Sequence, residues 1–140
     1  MATQTDMNGL WSGTYSYDMV EGETVFTVWI NDQSGQLSGT IIEPNTFVPN
    51  GFEELHATLD GICDGNIVDF VKTYDPSSGA HQSPIHYEGT VNPSFTEVRG
   101  IWHFKDPHAL PGKFVLSRVS NSLEKEVMRS KLASISNDAD

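Results

Sequence analysis

Alternation with a period of two runs through this chain from Gly9 to about Val119, and it restricts the architecture more than any other feature. Gly9-Leu10-Trp11-Ser12-Gly13-Thr14-Tyr15-Ser16-Tyr17 places Trp11, Gly13, Tyr15 and Tyr17 on one face and small hydroxyl residues on the other. That is a half-buried strand. Seven more such runs follow, at about 24–31, 36–43, 53–60, 66–74, 84–91, 97–104 and 112–119, after a first strand of about 10–18. Turn signals separate them, among them Asp32-Gln33-Ser34-Gly35 and Asn92-Pro93-Ser94. The helical period enters only after Ser120. There Asn121 and Glu124 form a capping-box pattern, and Leu123, Val127, Met128 and Leu132 predict a helix of about 122–134.

Eight short strands joined one to the next are most simply closed into an up-and-down antiparallel β-barrel, which removes the edge strands of an open sheet. The expected fold is therefore all-β, an eight-stranded barrel over 9–119 with a C-terminal α-helix and tail over 120–140, in a single domain 1–140. A two-sheet sandwich is the competing arrangement. Pairing Gly89 with Gly100 also sets Val91 against Val98, Tyr87 against Trp102 and Ile85 against Phe104, all on one face, as a consistent register requires. The run at 24–31 leaves its facing open. Either Phe26, Val28 and Ile30 point inward or Val25, Thr27 and Trp29 do, and in both cases the outer wall is apolar enough to suggest a subunit contact or a seat for the tail helix.

Composition narrows the function classes. A net charge of −11 with eight Lys and Arg repels nucleic acid and anionic membrane surfaces, so neither is an expected partner. Cys63 is the single cysteine, which excludes an intrachain disulfide and a cysteine-based zinc site. The first residues lack the charged and apolar regions of a signal peptide, and a cytoplasmic protein is the expectation. No nucleophile–His–acid spacing or phosphate-cradling glycine loop occurs. The pairing above puts His86 opposite His103 on the outer face with no carboxylate partner evident, so no metal site and no cofactor are expected.

Gly9-Leu10-Trp11, Gly100-Ile101-Trp102 and Phe114-Val115-Leu116-Ser117-Arg118 resemble the calycin superfamily of lipocalins, fatty-acid-binding proteins and avidin-like barrels. The resemblance spans about 9–119. It implies that Arg118 of the last strand packs across Trp11 of the first as a structural plug at one end of the barrel. A guanidinium over a desolvated indole is favourable by roughly 2 kcal/mol. Glu43, Lys72 and Tyr87 stand where avidin-like barrels would carry serine or tryptophan, which implies a ligand other than biotin.

Loop lengths point to the other end. Loops at 32–35, 61–65 and 92–96 are short and share an end with Trp11 and Arg118, whereas the loops at 19–23, 44–52, 75–83 and 105–111 ring the opposite mouth and most are longer. Strand parity turns Tyr15, Tyr17, Glu43, Lys72, Tyr74, Tyr87 and Trp102 inward toward that mouth, and these are the candidate ligand-binding residues. Aromatic area with a few polar tips suits a small amphipathic or aromatic ligand. Rings that merely fill a cavity-free barrel are the alternative. Lys72 could serve as counter-ion to an anionic ligand or, if desolvated, as a nucleophile; equally, its ammonium could reach the mouth or Glu43. The function expected is small-molecule binding. Acid–base catalysis by Lys72, Glu43 or a tyrosine, and a packed barrel acting through its outer surface, are the other readings, and a homo-oligomer stays open.

Overall fold

A computed structural model describes residues 5–17, 21–44, 54–76, 83–106 and 108–119. Eight strands, β1 (Gly9–Tyr17), β2 (Thr24–Gln33), β3 (Gln36–Pro44), β4 (Glu54–Asp64), β5 (Ile67–Tyr74), β6 (Ile85–Val91), β7 (Glu97–Phe104) and β8 (Gly112–Arg118), follow in chain order. Each pairs antiparallel with the next, and β8 pairs with β1, so the sheet is a closed barrel rather than a sandwich. The expected pairing of β6 with β7 is the observed one: Gly89 opposite Gly100, Tyr87 opposite Trp102, Ile85 opposite Phe104. The backbones approach so closely there that a Cβ on Gly100 would lie 2.0 Å from the Glu88 carbonyl oxygen. The helix read over 122–134 lies outside the described residues.

Two strands run further than their sequence pattern suggested. β2 continues to Gln33 and β4 to Asp64, because their hairpins turn on two residues only. In the first hairpin Ser34 and Gly35 both take positive φ, 53° and 93°, the backbone twist that matches two paired strands. The facing of β2 is settled: Phe26, Val28 and Ile30 are buried in the core, while Val25 and Trp29 stand on the outer wall.

The core is the barrel interior. Inward residues of every strand contribute, with Trp11, Phe26, Phe70, Phe114 and Leu116 among the bulkiest buried side chains. Phe70 stacks on Tyr87 at 4.8 Å between ring centres, and Phe114 meets Tyr87 edge-on at 5.0 Å. Side chains of this bulk fill the interior of an eight-stranded barrel.

The Arg118 guanidinium lies 4.4 Å from the centre of the Trp11 ring, as the resemblance implied. The plug is larger than those two residues. Arg118 donates to the backbone carbonyls of Phe95 (2.8 Å), Asp6 (2.6 Å) and Asn8, and Trp11 Nε1 donates to the Met7 carbonyl at 2.9 Å. Met7 itself is fully buried, and its N–H donates to the Asp32 carboxylate at 2.9 Å. Residues 6–8 are thus strapped across the sealed end, a role their sequence pattern gave no sign of. Arg118→Ala removes both the stacking and the donors to three carbonyls, and urea titration is expected to show a loss of roughly 1–3 kcal/mol at unchanged m-value.

Candidate functional site

Strand parity brings one strongly polar cluster into this apolar interior. Glu43 near the end of β3 and Lys72 near the end of β5 are both fully buried, and they form an ion pair. Glu43 accepts two further hydrogen bonds, from the Tyr15 hydroxyl at 2.7 Å and the Tyr74 hydroxyl at 2.9 Å. Lys72 Nζ faces the rings of Tyr74 (4.7 Å), Tyr15 (4.8 Å), Phe26 (5.4 Å) and Tyr87 (6.0 Å). A buried charge persists only when paired and hydrogen-bonded, and this pair has a carboxylate with three donors and an amine caged by aromatic faces.

Burial governs the ionisation of the surrounding groups. It pushes Lys72 below the ordinary lysine range, against the opposing pull of Glu43. Tyr15 and Tyr74 are held far above the normal phenol range, first by burial and then by the negative Glu43 beside them. Tyr87 moves the same way, by burial first and then through Tyr15 and Glu43, and Tyr17 is raised by burial and Glu43. These phenols are donors at neutral pH.

Above the pair lies the mouth. A cleft of about 20 Å³ opens between Tyr15, Tyr17, Tyr74, Ile85, Tyr87, Trp102 and Phe104. All four tyrosines of the chain line it. Tyr17 meets Trp102 edge-on at 4.9 Å, and Trp102 meets Phe104 at 5.7 Å, while Trp102 Nε1 is held by the Ser16 carbonyl at 3.1 Å. Tyr17 is 48% exposed, so half of the ring forming the rim is already in water. The structure therefore gathers all seven residues read from the sequence at one end, but in two layers. Tyr15, Tyr17, Tyr74, Tyr87 and Trp102 line the cleft; Glu43 and Lys72 lie beneath it. Ile85 and Phe104, which strand parity also turns inward toward this mouth but which were not among the seven candidate contacts, line the cleft as well.

Other polar clusters are spoken for. An open cleft of about 640 Å³ at the sealed end runs past Asp32, Cys63, Asn92 and Phe95. The Asp32 carboxylate there already accepts the N–H groups of Met7 and Gly35, and the Asn92 side chain is engaged with Thr96 and Glu97. Cys63 is a free, half-buried thiol, raised by burial and by the nearby Asp32 and Asp64. His86 and His103 stack on the outer wall at 5.3 Å, and a carboxylate does stand beside them: Glu88 comes within 3.6 Å of His103 Nε2, from the diagonal position that direct pairing did not reveal. Among the described residues no three His, Cys, Asp or Glu side chains converge as a metal site.

Fold and site together define a closed, eight-stranded antiparallel barrel with a plugged end and an aromatic mouth. Among solved structures it is similar to a redesigned β-barrel, mFAP1, determined bound to DFHBI, at a TM-score of 0.61 over 80% of this chain and 94% of that one. The two are 13% identical, a likeness of fold alone. No protein-family model matches the chain, and no curated protein does.

Proposed function

We propose that this protein is a calycin-like binding barrel that takes a small, planar, ring-bearing molecule at its mouth, with Tyr15, Tyr17, Tyr74, Tyr87 and Trp102 as contacts and the Glu43–Lys72 pair as the polar floor. The observation that carries the reading is the layering itself: a ring-lined cleft at the rim of the barrel, set directly above its paired charges. Aromatic walls supply stacking area, and phenol hydroxyls orient a polar group. The likeness to a barrel bound to a small molecule supports the reading at the level of fold.

The cleft of about 20 Å³ holds roughly one water, so a ligand enters by displacing rings, and the half-exposed Tyr17 is the ring freest to swing out. Glu43 already neutralises Lys72, which favours a ligand with an uncharged polar end over an anionic one. A thermal-shift screen of small aromatic compounds, with DFHBI among the probes, tests this. Hits are expected to raise Tm, since ligand at a hundredfold its Kd stabilises by about 2.7 kcal/mol. Trp102→Leu is expected to abolish the shift while keeping the barrel folded. Hits that bind Trp102→Leu unchanged, or a panel with no hits at all, would overturn the proposal.

A further inference from the structure

We propose that Lys72 is a carbonyl-capturing amine: small aromatic or conjugated aldehydes entering at the mouth condense with its Nζ to give an imine. The inference rests on the mouth reading and assigns it a ligand class. Capture of this kind has four requirements, and the residues under the cleft meet each of them.

The first is an uncharged amine, because only the free electron pair attacks. Full burial makes the ammonium of Lys72 readier to give up a proton, and the Glu43 carboxylate bonded to Nζ is the acceptor for it. The second is a proton carrier, and Glu43 is hydrogen-bonded directly to Nζ. The third is a fixed geometry for that carrier. Tyr15 and Tyr74 hold the Glu43 carboxylate from both oxygens, Tyr15 at Oε2 and Tyr74 at Oε1. The fourth is a dry site with a counter-ion, so that a protonated imine is stabilised and water does not reverse the reaction. Glu43 is that counter-ion.

The distance to be crossed is one ring deep. Tyr15, Tyr74 and Tyr87 line the cleft and are the same rings that Nζ faces at 4.8, 4.7 and 6.0 Å. An aldehyde whose own ring replaces one of these contacts brings its carbonyl carbon to the amine. The Nζ ammonium gives a proton to Glu43 and the freed electron pair forms the C–N bond, while the carbonyl π pair moves to oxygen, which takes that proton from Glu43 to give the protonated carbinolamine. Nζ then loses its second proton to Glu43, which passes it to the departing hydroxyl. Ammonium and aldehyde become a protonated imine, paired with the regenerated Glu43 carboxylate, and one water, with no change of oxidation state.

The test uses the full chain with cinnamaldehyde and sodium cyanoborohydride, which reduces an imine to a stable amine, followed by peptide mass spectrometry. Labelling of Lys72 is expected to outpace that of the exposed Lys105 and Lys113 by on the order of tenfold or more. Cinnamyl alcohol, which cannot condense, is expected to compete at Lys72 and leave the surface lysines unaffected. A barrel carrying Lys72→Met with Glu43→Gln should lose that adduct and keep the surface ones. Adducts confined to exposed lysines, in a protein whose Tm the alcohol still raises, would overturn imine capture and leave the binding mouth standing. If neither alcohol nor aldehyde binds, the mouth reading falls with it.

Discussion

Lys72→Met is expected to destabilise the barrel by roughly 3–5 kcal/mol, and adding Glu43→Gln to it is expected to give most of that back. The first substitution leaves a carboxylate without its cation in a fully buried position, where Tyr15 and Tyr74 can hydrogen-bond it but cannot neutralise it. Methionine fills nearly the lysine volume, so the loss reports charge rather than packing. Glutamine in place of Glu43 keeps an oxygen to accept one phenol hydroxyl, presents an NH2 that donates to the oxygen of the other, and removes the stranded charge. Two buried changes would thus be less harmful than one. Urea titrations of wild type, Lys72→Met and the double variant at neutral pH measure both expectations. A double variant no more stable than the single one would show that the ion pair is not what couples β3 to β5 here.

How much of this was legible beforehand depends on whether the information lay in parity or in depth. Parity is local: a period of two assigns each side chain to a face, and pairing Gly89 with Gly100 fixed four cross-strand contacts that the structure reproduces. The cation over Trp11 was legible in the same way, since Trp11 and Arg118 are opposite each other in the β1–β8 pairing. Depth is not local. Nothing in the strand pattern states that Glu43 and Lys72 sit below the tyrosines rather than among them, because this depends on the stagger of strands around the closed barrel. The facing of β2 was ambiguous for a related reason: both of its faces are apolar, so alternation carries no sign. The burial of Met7 was invisible because a strap held by carbonyl and carboxylate contacts has no hydrophobic period. Glu88 beside His103 was missed because a diagonal neighbour in a sheet is absent from a list of directly opposed residues.

Raising the pH above about 10.5 should unfold the protein steeply, and the tyrosines are the reason. Tyr15, Tyr74 and Tyr87 all have their ionisation raised by burial in the folded barrel, whereas in the unfolded chain they ionise near the ordinary value of about 10. Below that pH both states hold the phenol protons and stability is unaffected. Above it the unfolded chain releases protons that the folded one keeps, and stability falls by about 1.4 kcal/mol per pH unit for each tyrosine. Three such groups give a slope of roughly 4 kcal/mol per unit, enough to exhaust a typical domain stability of about 5–15 kcal/mol within a few units. Lys72 acts in the opposite direction and in an earlier window. Its ionisation is lowered in the fold, so the unfolded chain binds the extra proton and stability rises with pH until about 10.4, after which the lysine contributes no further slope. The two effects meet near pH 10, where the descent begins. Far-ultraviolet circular dichroism followed together with tyrosinate absorbance tests this. Tyr15, Tyr74 and Tyr87 should ionise in one step with loss of the sheet, whereas Tyr17, half exposed at the rim, need not wait for that step. Tyr74→Phe should make the descent shallower by about a third of that slope. Four tyrosines titrating gradually near pH 10 in a barrel that keeps its circular dichroism would mean that water reaches the floor of the mouth freely.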